Sequence, residues 1–333
     1  MCKNRQIIFI LFILGALLAC ENEVNLLEPG DPIPVVYGII CPDDTLHQIR
    51  LLKTFDGSKI PEVEASVSDS LYYDQAEVYL ELRSTQGLVL ERLELSKTLI
   101  NNRREGIFAT TPNIIYQGHP FDIRQGSLNG ELVYHLTIYL PDFDQSVFAT
   151  TAIPPTQEPS SNMISGEEIN VFDYFVHPKY IFSAPVKTFA TELIIEFLFE
   201  ELINAEWHQI SFQNKRYYRP YSGHVSTDSI KFSPIWLYKQ IANNIKENEA
   251  VSNRRFSSII IRKRLVSPDY SHYLSSLEYS PDLYTHIFSN ITNGKGLFAA
   301  YSKSEITGIT FSEQMLDSLS FGQYTKPLKF KRW

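Results

Sequence analysis

Few residues in this sequence are spaced for chemistry, and the clearest of them is a cysteine. Cys20 closes the segment Leu17-Leu18-Ala19-Cys20. A thiol placed after the small Ala19 can carry a thioether-linked diacylglycerol once the chain is cut before it. A second candidate is Lys215-Arg216-Tyr217-Tyr218-Arg219-Pro220-Tyr221, the one local departure from an acidic background. Cations beside aromatic faces hold anionic or carbohydrate groups through charge, stacking and hydrogen bonds. The alternative is an exposed strand and turn whose Arg stems cover Tyr rings. Lys215, Arg216, Tyr217, Tyr218, Arg219 and Tyr221 are therefore the candidate ligand-binding residues. Asp142-Phe143-Asp144 offers two carboxylates that a hard cation would accept, and a solvated loop explains them as well.

No catalytic constellation is visible. The chain has no Gly-x-Ser-x-Gly elbow, no His-Glu-x-x-His, no phosphate-binding Gly-rich loop and no calcium-loop pattern. Its eight histidines are dispersed, with none at i, i+2 or i, i+4 to another. His208 and His224 could meet only through folding. The expectation is a protein with no catalytic residue, no metal site and no cofactor.

The N-terminus explains the cysteine. Lys3 and Arg5 precede an apolar run from Ile7 to Leu18. As a helix that run reaches about 18 Å, too short for a bilayer core of about 30 Å, and its flanks suit a removable secretory signal. Residues 17–20 resemble the lipobox of bacterial lipoproteins, with cleavage after Ala19 and the lipid on Cys20. Residues 1–19 are then a signal peptide and 20–32 a tether rich in Pro and Gly. Glu21 and Glu23 resemble a surface-export signal of such lipoproteins, and a solvated tether accounts for them equally. Each buried acyl CH₂ contributes about 0.8 kcal/mol, and two or more chains anchor a protein stably.

Loss of residues 1–19 leaves 314 residues with 28 basic against 38 acidic side chains, a net charge of −10. An acidic body argues against nucleic acid as a partner and against charge-driven docking on anionic lipid. Cys41 is the third and last cysteine, so the mature chain can form no internal disulfide. It sits in the apolar run from Val35 and reads as a buried small hydrophobe. The length exceeds what one core usually supports, so two domains are expected.

The elements that would position these residues are mostly strands. Candidates run over 33–41, 47–55, 76–83, 88–95, 132–140 and 147–153. Ala76, Val78, Leu80 and Leu82 alternate with polar neighbours, the period of a half-buried strand. Short strands with turn signals between them suggest an immunoglobulin-like or transthyretin-like β-sandwich over 33–157, ended by Pro154-Pro155. A second, β-rich mixed domain is expected over 158–333. Its strands are read at 169–175, 191–199, 207–212, 256–265, 296–301 and 306–311. Glu192, Glu196 and Glu200 also permit a helix over 191–199, but the β-branched and aromatic content favours a strand. Ser233-Pro234 and Ser267-Pro268 open two helices. The tail from Lys329 to Trp333 is an edge strand or a frayed end.

Three stretches together carry a resemblance: the lipobox with its acidic start, Ala149-Thr150-Thr151-Ala152-Ile153-Pro154-Pro155, and the run from Ser289 to Tyr301. The chain resembles the Bacteroidota outer-membrane lipoprotein family catalogued as domain of unknown function 4249. The most specific part is Asn290, Asn293, Gly294, Gly296, Phe298 and Tyr301. The resemblance implies a lipid-anchored outer-membrane protein, at the cell surface or on the periplasmic face, of a family often found beside TonB-dependent outer-membrane receptors; the leading expectation is an accessory or ligand-binding partner of such a receptor. It implies no activity. A structural or adhesive lipoprotein and a hydrolase of surface polymers are the alternative readings. By itself the 290–301 run is a turn feeding a core strand, or a ligand-binding loop.

Overall fold

A computed structural model describes residues 31–55, 60–100, 106, 109, 112–121, 132–154, 163–172, 179–184, 190–218, 226–278 and 287–331. The molecule is mainly β. Strands β1 (Pro34–Ile40), β2 (His47–Lys53), β3 (Glu77–Ser84), β4 (Val89–Ile100), β5 (Asn113–Gly118), β6 (Leu132–Leu140) and β7 (Gln145–Ala152) form its first half, with a short helix α1 (Pro61–Ala65) between β2 and β3. The second half holds β8 (Glu168–Ile169), β9 (Lys179–Ala184), β10 (Ala190–Ile203), β11 (Glu206–Tyr218), β12 (Ser226–Lys231), β13 (Val251–Val266) and β14 (Lys295–Phe311). Its helices are α2 (Pro234–Asn244), α3 (Pro268–Glu278) and α4 (Glu313–Phe321).

One twelve-stranded sheet runs in the order β11-β10-β13-β14-β1-β2-β5-β4-β3-β6-β7, with β8 beside β14. The link between the halves is parallel: β1 lies along the start of β14, Val36 opposite Gly296 and Ile40 opposite Ala300. From β1 the sheet curls until β7 meets the segment before β14, where Phe148 and Thr292 exchange backbone hydrogen bonds of 3.2 and 2.8 Å. This wrap encloses a first core. Val36, Leu80, Leu136, Ile138 and Val147 fill it, and Phe298 and Ala300 of β14 enter it. The strict alternation of β6 follows from having one face in that core.

The second core lies against β10, β13 and the later part of β14. Leu193, Ile195, Phe197 and Phe199 meet Ile259, Ile261 and Ile306 there, capped by Leu237 and Ile241 of α2 and Met315 and Leu319 of α4. Arg254 is 1% exposed. It donates to Glu201 at 2.7 Å and to the carbonyls of Leu328 and Lys246 at 2.7 and 2.9 Å. The tail is thereby tied down, with Phe330 bridged to Arg254 and buried.

The structure revises several element boundaries. The strand expected at 169–175 spans only Glu168–Ile169 among the described residues, and 296–301 and 306–311 are one strand, β14. A third helix, α4, stands in the second half where two were read. Ser312 caps it by accepting from the Met315 N–H, a signal present in the sequence. The boundary near residue 158 lies outside the described residues, as do Ala19, Cys20, Arg219 and Tyr221.

Candidate binding face around Arg264 and Glu192

The sheet face opposite the second core carries charge in register. Glu192 lies opposite Arg264 on β13 and Tyr217 on β11. Side chains directly opposite on one face are neighbours, so alternation alone brings these three together. Tyr217 donates its hydroxyl to Glu192 Oε1 at 3.0 Å, and Arg264 Nη1 donates to Oε2 at 3.0 Å. Glu192 is 1% exposed. A carboxylate so deep needs such partners, because an uncompensated buried charge is costly.

The same guanidinium lies 4.9 Å over the ring of Tyr301. Tyr270 of α3 is in electrostatic reach of both Glu192 and Arg264, and Tyr273 of Tyr37 on β1. Burial, then Glu192, raises Tyr217 above the ordinary tyrosine value. Burial raises Tyr301 to about 12. These phenols are protonated at neutral pH and offer O–H donors and ring faces. Tyr217 is 42% exposed, so the cluster opens to solvent at the β11 end.

Along the same face the ion pairs continue. Arg262 donates to Glu196 at 2.5 Å and to Glu305 at 2.6 Å, and Arg255 to Glu200 at 2.5 Å. Burial alone would raise Glu196, but hydrogen bonds from Arg262, Gln213 and Ser211 outweigh it and hold the carboxyl low. Lys303 pairs with Asp44 at 2.9 Å. The arrangement suits recognition of a polar ligand by hydrogen bonds, stacking and partly exposed guanidinium groups.

The alternation of β11 divides the basic–aromatic stretch. Lys215 and Tyr217 share the charged face. Arg216 and Tyr218 turn to the other, Arg216 at 5.4 Å over the Trp236 ring and Tyr218 against the second core. The 290–301 run divides too. Asn290 donates to the Phe298 carbonyl at 2.7 Å and accepts from the Phe298 N–H at 2.9 Å. Asn293, at φ 59°, donates to the Ser146 carbonyl at 2.9 Å and accepts on its own carbonyl from Gln145 at 3.0 Å. A Cβ on Gly294 would lie 2.8 Å from the Pro34 carbonyl oxygen, and one on Gly296 2.0 Å from that of Val36. This loop laces β7 and β1 to β14. Tyr301 alone of the run faces the Arg264 cluster.

Asp144 ends a turn at φ 45° and accepts from Tyr139 at 3.1 Å. Among the described residues no three His, Cys, Asp or Glu side chains are grouped for a metal. Nor is any helix there long and apolar enough to cross a membrane. His208 lies on β11, and His224 is outside the described residues.

Two polar side chains escaped the sequence reading. His47 and Tyr134 are both fully buried in the first core, ring centres 5.5 Å apart, with Phe121 beside them. Among the described residues, neither ring nitrogen of His47 nor the Tyr134 hydroxyl has a hydrogen-bond partner. Burial lowers His47 to about 4, against the pull of Asp44. Glu192 and Arg264 were also missed. Acids every fourth residue in one strand, opposite Arg262 and Arg264 two apart in another, were the available signal.

Comparison with known proteins adds a family. The family model described as "Domain of unknown function (DUF4249)" matches residues 22–307. No curated protein matches the chain. Among solved structures, a DUF4785 family protein from Legionella pneumophila is similar at 11% identity with a TM-score of 0.25. The match covers 68% of this chain and 51% of that one, so the chain spans about half the length of that structure. A score this low carries no argument.

Proposed function

The chain belongs to the DUF4249 family, and from that premise we propose that it is a lipid-anchored outer-membrane protein of non-enzymatic role, working as a ligand-binding or accessory partner of a TonB-dependent outer-membrane receptor. The observation that carries the reading is the cluster of Tyr217, Arg264, Glu192 and Tyr301, which joins hydrogen-bond donors, ring faces and a guanidinium on a half-exposed sheet face. Such a set recognises polar or anionic groups. Glu192, Glu196, Glu200 and Glu305 on this face are each bonded to arginine, which suits holding a ligand better than moving a proton. The lipid on Cys20 would keep this face beside the membrane without help from charge.

The test is a mild-detergent purification of the lipidated chain from its own outer membrane. A receptor at equal stoichiometry is the expected result, and Cys20→Ser should release the protein from the membrane fraction. If no receptor co-purifies and deletion of the gene leaves uptake through every neighbouring receptor unchanged, the reading fails.

A further inference from the structure

The long sheet has two ends, and they are treated differently. At one end β7 is sealed by the Phe148–Thr292 bridge. At the other stands β11, thirteen residues long, and among the described residues only β10 pairs with it. Their pairing runs from Thr191–Tyr218 to Ile203–Glu206 without a bulge. Natural edges are usually short, bulged, or interrupted by proline or charge. In β11 the charges sit only at the ends, Glu206 at one and Lys215-Arg216 at the other, and residues 207–214 carry no formal charge with neutral His208.

The hairpin sets which backbone groups face away from β10. Asn204 and Ala205 have φ of 51° and 68°, the pattern of a two-residue type I′ turn. Ile203 and Glu206 are therefore a hydrogen-bonded pair, and pairs alternate from there. The odd-numbered residues of β11 point their N–H and C=O groups away from β10.

We propose that β11 is a homotypic interface, in which two copies of this chain pair antiparallel along its outer edge about a two-fold axis at Ser211. In that register Ile210 meets Phe212 and Glu206 meets Arg216 on one face, and Trp207 meets Lys215 on the other. Ile210 and Phe212 are half-buried against the second core, so the pairing covers apolar surface left at the edge. Moving the register by two residues either way sets Glu206 against Asn214 or Tyr218 and loses the charge match. The strand is thus complementary to itself in one register, and the chemistry that fits it is a second β11. This inference is independent of the receptor reading.

The test uses the full chain in its native membrane. An antiparallel hydrogen-bonded pair brings Cα atoms to about 5.5 Å, within disulfide reach. Under mild oxidation Ser211→Cys should give a band of doubled mass on a non-reducing gel. The parent chain and Lys239→Cys, on the exposed side of α2, should not; Cys41 is buried. Co-expressed copies carrying Gln209→Cys and Gln213→Cys should cross-link to each other. Adding Gln209→Pro to Ser211→Cys removes an outward N–H without touching the β10 ladder, and the band should be lost. The proposal is overturned if the 211 cysteine dimerises no faster than the 239 cysteine. It is equally overturned if the proline leaves the band intact, or if the 211 cysteine couples instead to a different protein.

Discussion

The two halves of the molecule handle polar groups in opposite ways. The first half is closed: its sheet curls on itself, and the loop at 290–296 seals the seam through the Asn290 and Asn293 side chains, which bond to backbone. Inside that closed wrap, His47 and Tyr134 keep polar atoms with no partner among the described residues. The second half is open. Its charged face reaches solvent at Tyr217, and each carboxylate of Glu192, Glu196 and Glu200 is bonded to an arginine. Each orphaned neutral group costs about 1–3 kcal/mol, far less than an unpaired buried charge would. An open face that must keep its shape in water pairs its charges. On the proposed function, recognition falls to the second half and rigidity to the first.

The strongest way to break this comparison is to prise the seam open. Gly296 has φ 113° and lies opposite Val36, whose carbonyl oxygen a Cβ would meet at 2.0 Å. Both the conformation and the contact reject any larger residue. Gly296→Ala should cost on the order of 4 kcal/mol, read as a lowered urea midpoint or loss of soluble protein. A variant within about 1 kcal/mol of the parent would show that the β1–β14 seam does not hold the first half closed.

A second prediction concerns what the closed half contains. His47 is neutral when folded, with a value near 4 against 6.5 unfolded. Protonation therefore favours the unfolded chain, and the stability tied to neutral His47 is lost as pH falls from about 6.5 toward 4. The slope approaches about 1.4 kcal/mol per pH unit, for a total near 3 kcal/mol. His47→Phe, set among Phe121 and Tyr134, should flatten that part of the profile. The measurement is the difference between the two urea-denaturation curves at pH 7 and pH 4.5. Parallel losses in both proteins would mean that carboxylates, not His47, govern the acid limb.

Much of this contrast was legible in the sequence, and the rest was hidden for definable reasons. The alternation at 76–83 and 132–140 marked β3 and β6 because one face of each is buried. Ser-Pro pairs marked the starts of α2 and α3. β5 escaped because Ile114, Ile115 and Tyr116 are buried consecutively, so no alternation exists. The parallel β1–β14 pairing joins segments about 260 residues apart, which no local pattern encodes. At the candidate site, Tyr217 stood out by its basic and aromatic neighbours. Its partners did not: the Tyr217–Glu192 and Arg264–Glu192 contacts span 25 and 72 residues. The asparagines and glycines of 290–296 looked as much like a ligand loop as a turn, because backbone clasps and binding loops use the same residue types.

The finest test of the comparison is at Tyr217 itself. Its hydroxyl supports Glu192, which Arg264 also holds, so Tyr217→Phe should cost no more than about 1 kcal/mol in urea denaturation. Tyr217→Ala removes the ring as well, on a strand at the sheet edge with 42% of the residue exposed, and should still fold. If the open half does the recognising, the alanine variant loses receptor co-purification and the phenylalanine variant keeps most of it, because stacking survives without the hydroxyl. If Tyr217→Ala unfolds the chain, the face is held as tightly as the seam at Gly296, and the division of labour between the halves falls with it.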